Sequence, residues 1–410
     1  MTTVAFPDSA LHQHIHQQQQ QGVDIRSTVE LLRRYIEIER ACIRATAGWF
    51  LAVPAYEDKI VLGYHLWGHA QRVEVLGNRM LEMRGGHSGA NMEPMLIALC
   101  RKLDQAPDAH AFLAGIHGVL QRLADTYTQH LQLTDRSANA SERRLLKHLL
   151  LDLQEQLDWH QQRESISDPT SQQWTDYLLQ LLDAAGGISG YQARGDVTMS
   201  HPTQAIFTRP QRIVFDARIK DGDLMTYQDR LSQDFDAVRI GEFRVFFNEF
   251  YAASLLAGII VDAWDSDVPW AFIYDMCHHC WDEVRHAEFG MIRLRELGVE
   301  PSMVNQSLFV ASQSMPFLHR LCYLTLGLEV YFMPRKQPRV KRYKEAGDPR
   351  SQLFADVDWS DEGQHVQYGK RWVSHFLKED ARTVEHLQTE IALMLKQNGI
   401  NLPDGELAPY

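Results

Sequence analysis

Glu283-Val284-Arg285-His286 and Glu362-Gly363-Gln364-His365 are the stretches whose reading decides the fold. Each is a Glu-x-x-His motif. On an α-helix, positions i and i+3 share a face, so each motif presents a carboxylate and an imidazole to one place. Composition alone gives such motifs: 23 Glu and 19 His in 410 residues predict about one by independent counting. The weight therefore lies in spacing. Glu249 precedes Glu283 by 34 residues, and Glu329 precedes Glu362 by 33. In an antiparallel helix pair with a short loop, that separation returns the chain to the same depth, about 17 residues or ~25 Å of helix each way. The 46 residues between Glu283 and Glu329 leave room for one crossover.

Outward from these motifs, apolar residues recur at three- and four-residue spacing over most of the chain. In the second half the pattern predicts helices over 227–262, 269–297, 315–333 and 358–377, with one more near the C-terminus. In the first half it predicts 27–50, opened by the capping box Ser27-Thr28-Val29-Glu30. Further helices follow over 56–84, stopped by Gly85-Gly86, and over 109–133, 140–163 and 174–184. Strand-like alternation is confined to 211–220, around Arg212-Ile213-Val214-Phe215. The expected fold class is all-α. The expected organisation is a polar flexible tail at 1–24, a helical block at 25–186, a linker or arm at 187–222, a second block at 223–400 and a tail at 401–410. The first tail carries His12, His14, His16 and the run Gln17 to Gln21; a His-x-His-x-His tract is able to bind metal, but the composition favours a flexible polar segment.

The order Glu, Glu-x-x-His, crossover, Glu, Glu-x-x-His resembles the ferritin-like di-iron/di-manganese carboxylate superfamily, over roughly 227–377. The resemblance implies a helical bundle in which Glu249 and Glu329 are terminal carboxylates. Glu283 and Glu362 bridge the metals, and His286 and His365 each bind one. These six residues are the expected catalytic and metal-binding set. Four carboxylates neutralise two divalent ions, and an oxygen-rich set with two imidazoles suits iron, with manganese as the alternative. The implied activity is a non-haem di-iron oxidase or oxygenase that activates O2 to oxidise a small organic substrate and draws on an external electron donor. The competing readings are a metal-handling or peroxide-disposing di-metal protein and a helical scaffold without activity.

Several neighbours share the ligand face. His279 lies four residues before Glu283 and seven before His286, so it is a candidate additional ligand or a supporting histidine. Superfamily members that oxygenate aryl-amine nitrogen carry an extra histidine on the last ligand helix, where this chain has Asp358, which sets N-oxygenation below other oxidations. Glu242, Tyr331 and Tyr368 fall nearby, and Phe246, Phe247, Phe250 and Phe332 are candidates to line a pocket or the core. Cys277-His278-His279-Cys280 lacks the second cysteine pair of a zinc site and reads as two buried thiols.

The first block repeats the rhythm with weaker ligands. Glu39 precedes His69 by 30 residues, and Asp125 precedes Glu155 by 30. Glu155-Gln-Leu-Asp158 has Asp where the motif has His. Matching Trp67 with Trp281 puts His69 and Arg72 opposite Glu283 and His286, Arg72 bringing a positive charge where a metal would sit, whereas matching Gly77 and Gly85 with Gly290 and Gly298 puts Ala70 and Val73 there. The reading is two ferritin-like bundles in tandem, the first degenerate and suited to packing, a dimer contact or channel shaping; an unrelated helical domain is the alternative. The formal charge of −12 argues against a nucleic-acid partner. No apolar run reaches the length of a membrane span, and five cysteines with no signal peptide fit a cytoplasmic setting.

Overall fold

A computed structural model of the protein describes residues 22–86, 93–162, 168–202, 207–222, 234–264, 266–378 and 380–397. Residues 1–21 of the first expected tail, including His12, His14 and His16, the expected tail at 401–410 and the helix start at Tyr227 lie outside them. The fold is all-α. The strand expected within 211–220 reduces to two residues, β1 (Lys220–Asp221), which pairs in parallel with β2 (Met303–Val304). The chain divides into two compact units: Met1–Trp49 with Gly68–Thr208, and Phe50–Trp67 with Arg209–Tyr410.

The first unit is built from α1 (Ile25–Phe50), the later part of α2 (Tyr56–Glu82), α3 (Pro94–Lys102), α4 (Ala109–Leu133), α5 (Ala140–Gln162) and α6 (Pro169–Ala184). The capping box at Ser27 is displaced by one turn. Asp24 opens α1, accepting from Ser27 N at 3.0 Å and Ser27 Oγ at 2.7 Å, because a carboxylate satisfies two donors at once. Asp108 and Asp168 open α4 and α6 in the same way, the latter before Pro169. Helix α3 was not expected; it is nine residues long, too short for periodicity to register, and starts at Glu93-Pro94. Arg84, in left-handed backbone at φ 63°, and not Gly85, makes the turn after α2.

The second unit carries α7 (Phe235–Asn248), α8 (Phe250–Trp264), α9 (Trp270–Glu296), α10 (Ser307–Ser312), α11 (Phe317–Cys322), α12 (Glu329–Glu345), α13 (Pro349–Phe376) and α14 (Val384–Gln397). A break at Glu249 separates α7 from α8. Together, Phe235–Trp264 is long and apolar enough to cross a membrane by length and composition, but it is mostly buried inside the protein, as a core helix is. Both α7 and α8 pack on α9, α12 packs on α13, and α9 packs on α13.

Two glycines set how closely these helices approach. A Cβ at Gly290 would collide with the backbone of Phe247, and one at Gly369 would lie 2.5 Å from Thr325 Oγ1. Each glycine stands four residues after a motif histidine, so the close packing falls one turn from His286 and His365. The helix expected over 315–333 is remade in two respects. Tyr323–Leu328 adopts π-helical geometry, a form that concentrates at functional sites. The following helix then passes Pro334 and Pro338 and ends at Glu345. Buried Lys336 and Tyr343 anchor that stretch and offset the roughly 3 kcal/mol that a mid-helix proline costs.

Candidate metal centre

Four helical segments bring the predicted residues to one buried place. Glu249 sits at the α7–α8 break, His279, Glu283 and His286 lie on α9, Glu329 is the first residue of α12, and Glu362 and His365 lie on α13. Their ligand atoms form two groups. His279, Glu283, Glu329 and His365 make the first, and Glu283, His286 and Glu362 the second, with the atoms of each within 4.8 Å of one another. Glu283 belongs to both. Glu362, given a bridging role by the resemblance, falls in the second group alone. Glu249 stands outside both groups and faces the adjoining cavity. His279 is a full member of the first group, its ring stacked on that of His365 at 3.7 Å between centroids.

The polar atoms that converge here have few partners in the protein. Nδ1 of His286 and of His365, both ring nitrogens of His279, both oxygens of Glu329, and Oε2 of Glu283 and of Glu362 are buried without a hydrogen bond. His279 Nε2 comes within 2.7 Å of Glu329 Oε1, yet neither atom is well directed toward the other. Buried polar groups are normally satisfied, so this many unsatisfied ligand atoms around one point fits a cation as the missing partner. With oxygen and imidazole donors and no thiolate, the donor set suits a first-row transition metal.

A reciprocal arrangement orients the two motif histidines. His365 Nε2 is 3.1 Å from Asp282 Oδ2, and His286 Nε2 is 3.2 Å from Asp361 Oδ2. Each aspartate directly precedes the glutamate of the opposite motif, so the aspartate of one motif holds the histidine of the other. With Nε2–H donated outward, each Nδ1 is left as the free lone pair facing Glu283, at 3.2 Å for His365 and 3.5 Å for His286. Sequence reasoning missed both aspartates, although the shared signature Asp-Glu-x-x-His was available to find them.

It also missed Lys336. This buried ammonium lies 2.7 Å from Asp358 Oδ1 and 2.8 Å from Glu362 Oε1. No motif marks it, and a lysine between two prolines reads as a solvated turn. Its donation to Oε1 leaves Oε2 of Glu362 directed at the second group. Lys336 and Arg339 both pair with Asp358, and the carboxylates Glu249, Glu283, Glu329, Glu362 and Asp358 still outnumber these cations, an excess that divalent ions would offset.

In the protein alone, protons meet that excess. Burial, reinforced by Glu283 and Glu362, pushes the Glu249 carboxyl well above its ordinary range. Burial disfavours the His286 cation, but Asp361 and Glu283 overcome it and raise the imidazole to about 10. Metal binding at such a site displaces protons.

A cavity of about 680 Å³ opens onto the centre, lined by Glu249, Glu283, Glu329 and Glu362 at its inner end. Phe246, Phe332, Tyr251 and Glu242 also line it, whereas Phe247 and Phe250 are core residues outside the lining. Tyr251 was not singled out from sequence, since nothing distinguishes it within an apolar run. Tyr368 instead donates to or accepts from His278 Nδ1 at 2.7 Å, and Tyr331 supports Arg335. Cys277 and Cys280 are buried free thiols.

In the first unit, four helices meet at an ion-pair cluster. Glu39 accepts from Arg72 Nε at 2.7 Å and Tyr127 OH at 3.0 Å, and its other oxygen is 2.5 Å from His69 Nδ1. The Arg72 guanidinium also pairs with Asp152 and donates to Gln156 at 3.1 Å. The expected partners Asp125, Glu155 and Asp158 are exposed instead. On α5 the side chains that reach Arg72 are Asp152, itself half exposed, and buried Gln156, one helical turn apart, so Glu155 and Asp158 fall on other faces. A fixed guanidinium thus balances the buried Glu39, and this cluster offers no group of free ligand atoms like that of the second unit.

Neither the curated proteins nor the solved structures provide a match to the chain. Residues 244–400, which take in every ligand candidate from Glu249 to His365, are similar to a family described as "Protein of unknown function (DUF455)".

Proposed function

We propose that the second unit is a ferritin-like bundle holding two metal ions, most suitably iron, and that the protein is a di-iron oxidase or oxygenase acting on O2 and a small organic substrate with an external electron donor. The observation that carries this reading is the pair of ligand groups joined at Glu283, each rich in buried atoms without partners. When bound, a pair of redox-active ions there supplies the electrons that reduce O2.

The chain's own residues do the rest. His279, Glu283, Glu329 and His365 hold one ion, and His286 and Glu362 hold the second together with Glu283. Asp282 and Asp361 retain the Nε2 protons, which fixes the ligand tautomers. Lys336 with Asp358 orients Glu362 without adding net charge. Glu249, on the cavity side, is placed to take up and return a proton near the substrate. Phe246 and Phe332 limit water at the inner end.

The cavity of about 680 Å³ favours an organic substrate over metal storage or peroxide disposal, since small-ligand sites run from about 300 to 1,000 Å³. The test is O2 uptake by anaerobically reduced, iron-loaded protein. The wild type should consume O2 and the His365→Ala variant should not. Manganese loading with rapid peroxide breakdown and no iron-dependent O2 uptake would overturn the reading.

A further inference from the structure

Glu329, Phe332, Arg335, Lys336, Arg339 and Arg342 succeed one another along α12 at helical spacing, and all six line the cavity. The stripe passes from carboxylate to phenyl to cation as it leaves the metal centre. Most of its cations are engaged. Lys336 is turned to Asp358 and Glu362, Arg339 lies 3.5 Å from Asp358 and 3.8 Å from Glu242, and Arg342 also pairs with Glu242.

Arg335 differs from these. It is exposed, and no carboxylate among the described residues pairs with it. Its guanidinium lies over the rings of Tyr331 and Phe332, at 4.6 and 5.2 Å from their centroids, and donates to Tyr331 OH at 2.5 Å. A guanidinium held against two aromatic rings and a phenol oxygen is pre-organised, and its remaining donors match the two oxygens of an acid group. Six residues separate it from Glu329, roughly 9 Å along the helix axis. Between them, Phe332, Phe246, Leu308 and Leu324 supply apolar wall.

We propose that the cavity takes a small anionic amphiphile. Its acid group, carboxylate or phosphate, sits on Arg335, and its apolar body of about 9 Å reaches past Phe332 toward the metal-facing carboxylates. This deepens the oxygenase reading by naming the substrate class, and it rests on that reading for where oxidation would fall. Recognition of the acid group is a property of the cavity alone.

The experiment is isothermal titration of the full-length protein as purified with octanoate, octyl phosphate, octanol and octylamine, alongside elemental analysis of each sample. At least one acid should bind about tenfold or more tightly than octanol, and octylamine should bind no better than octanol. Which acid binds tighter separates the carboxylate from the phosphate source. Arg335→Ala should weaken acid binding by about tenfold or more, leaving octanol binding and metal content unchanged, and Arg335→Glu should weaken it further. Because Arg335 is exposed, circular dichroism should report the native helix content for both variants. Equal binding of acid and alcohol, an acid affinity indifferent to Arg335, or no binding by any probe would overturn the proposal. Acid selectivity in a protein that never retains metal would sink the oxygenase reading alone, whereas a metal-loaded protein without acid preference would sink this one alone.

Discussion

Removing Asp282 should weaken one metal position and spare the other. Asp282 sits on α9 beside Glu283, yet its hydrogen bond goes to His365 on α13, which belongs with His279 and Glu329 in the first ligand group. Loss of such a supporting carboxylate costs about 10- to 100-fold in metal affinity, or about 1.4–2.8 kcal/mol at 1.4 kcal/mol per decade. For Asp282→Ala the effect should lie toward the upper end, because the carboxylate is only 3% exposed. For Asp361→Ala it should be smaller, because that carboxylate is 19% exposed, while Arg285 pairs with both aspartates.

The assay is anaerobic Fe(II) titration against a competing chromophoric chelator, run as double-mutant cycles. Asp282→Ala should be strongly non-additive with His365→Ala, since both act on one ligand, and nearly additive with His286→Ala. Asp361→Ala should show the opposite pattern. The reciprocal arrangement is refuted if Asp282→Ala couples to His286 rather than to His365, or if it leaves both affinities unchanged.

Further outcomes follow from residues away from the ligands. Burial alone would raise the Glu39 carboxyl, but the Arg72 charge and the His69 hydrogen bond hold it down to about 2. A depressed carboxylate stabilises the fold above its unfolded value and loses that contribution as pH falls toward the folded value, so Glu39→Gln should cost about 3 kcal/mol at pH 7 and about half that at pH 3. Denaturant titrations giving a pH-independent cost would contradict the ion-pair account. Gly290→Ala places a Cβ against the backbone of Phe247, so α9 must shift, at about 1–3 kcal/mol and with weaker metal retention; a variant as stable as the wild type by thermal melting would show that α7 yields freely.

Periodicity made the helices legible. Ala109–Leu133 carries its limits in its pattern, and Trp270–Glu296 departs from the expected 269–297 by one residue at each end. The π-helical turn before Glu329 left no trace, because it redirects hydrogen bonds without changing which residues are apolar. Most of the residues that gather at the candidate centre were legible as well, since carboxylate and imidazole recur at fixed helical separations. What surrounds them was not. Asp282, Asp361 and Lys336 reach the centre across helix interfaces, and contacts between elements have no fixed spacing along the chain. In the first unit, Glu39, His69 and Arg72 met as their positions suggested, while α5 supplied Asp152 and Gln156 in place of Glu155 and Asp158. A phase error of one or two residues on a single helix was enough to exchange one face for another.

The central claim is that Glu283 joins two metal positions, and elemental analysis of protein loaded anaerobically with Fe(II) and then desalted tests it directly. The wild type should retain about two iron ions per chain, and Glu283→Ala should lose iron from both positions, because each group depends on that carboxylate. A Glu283→Ala protein that keeps its native helix content and its full complement of iron would contradict the account.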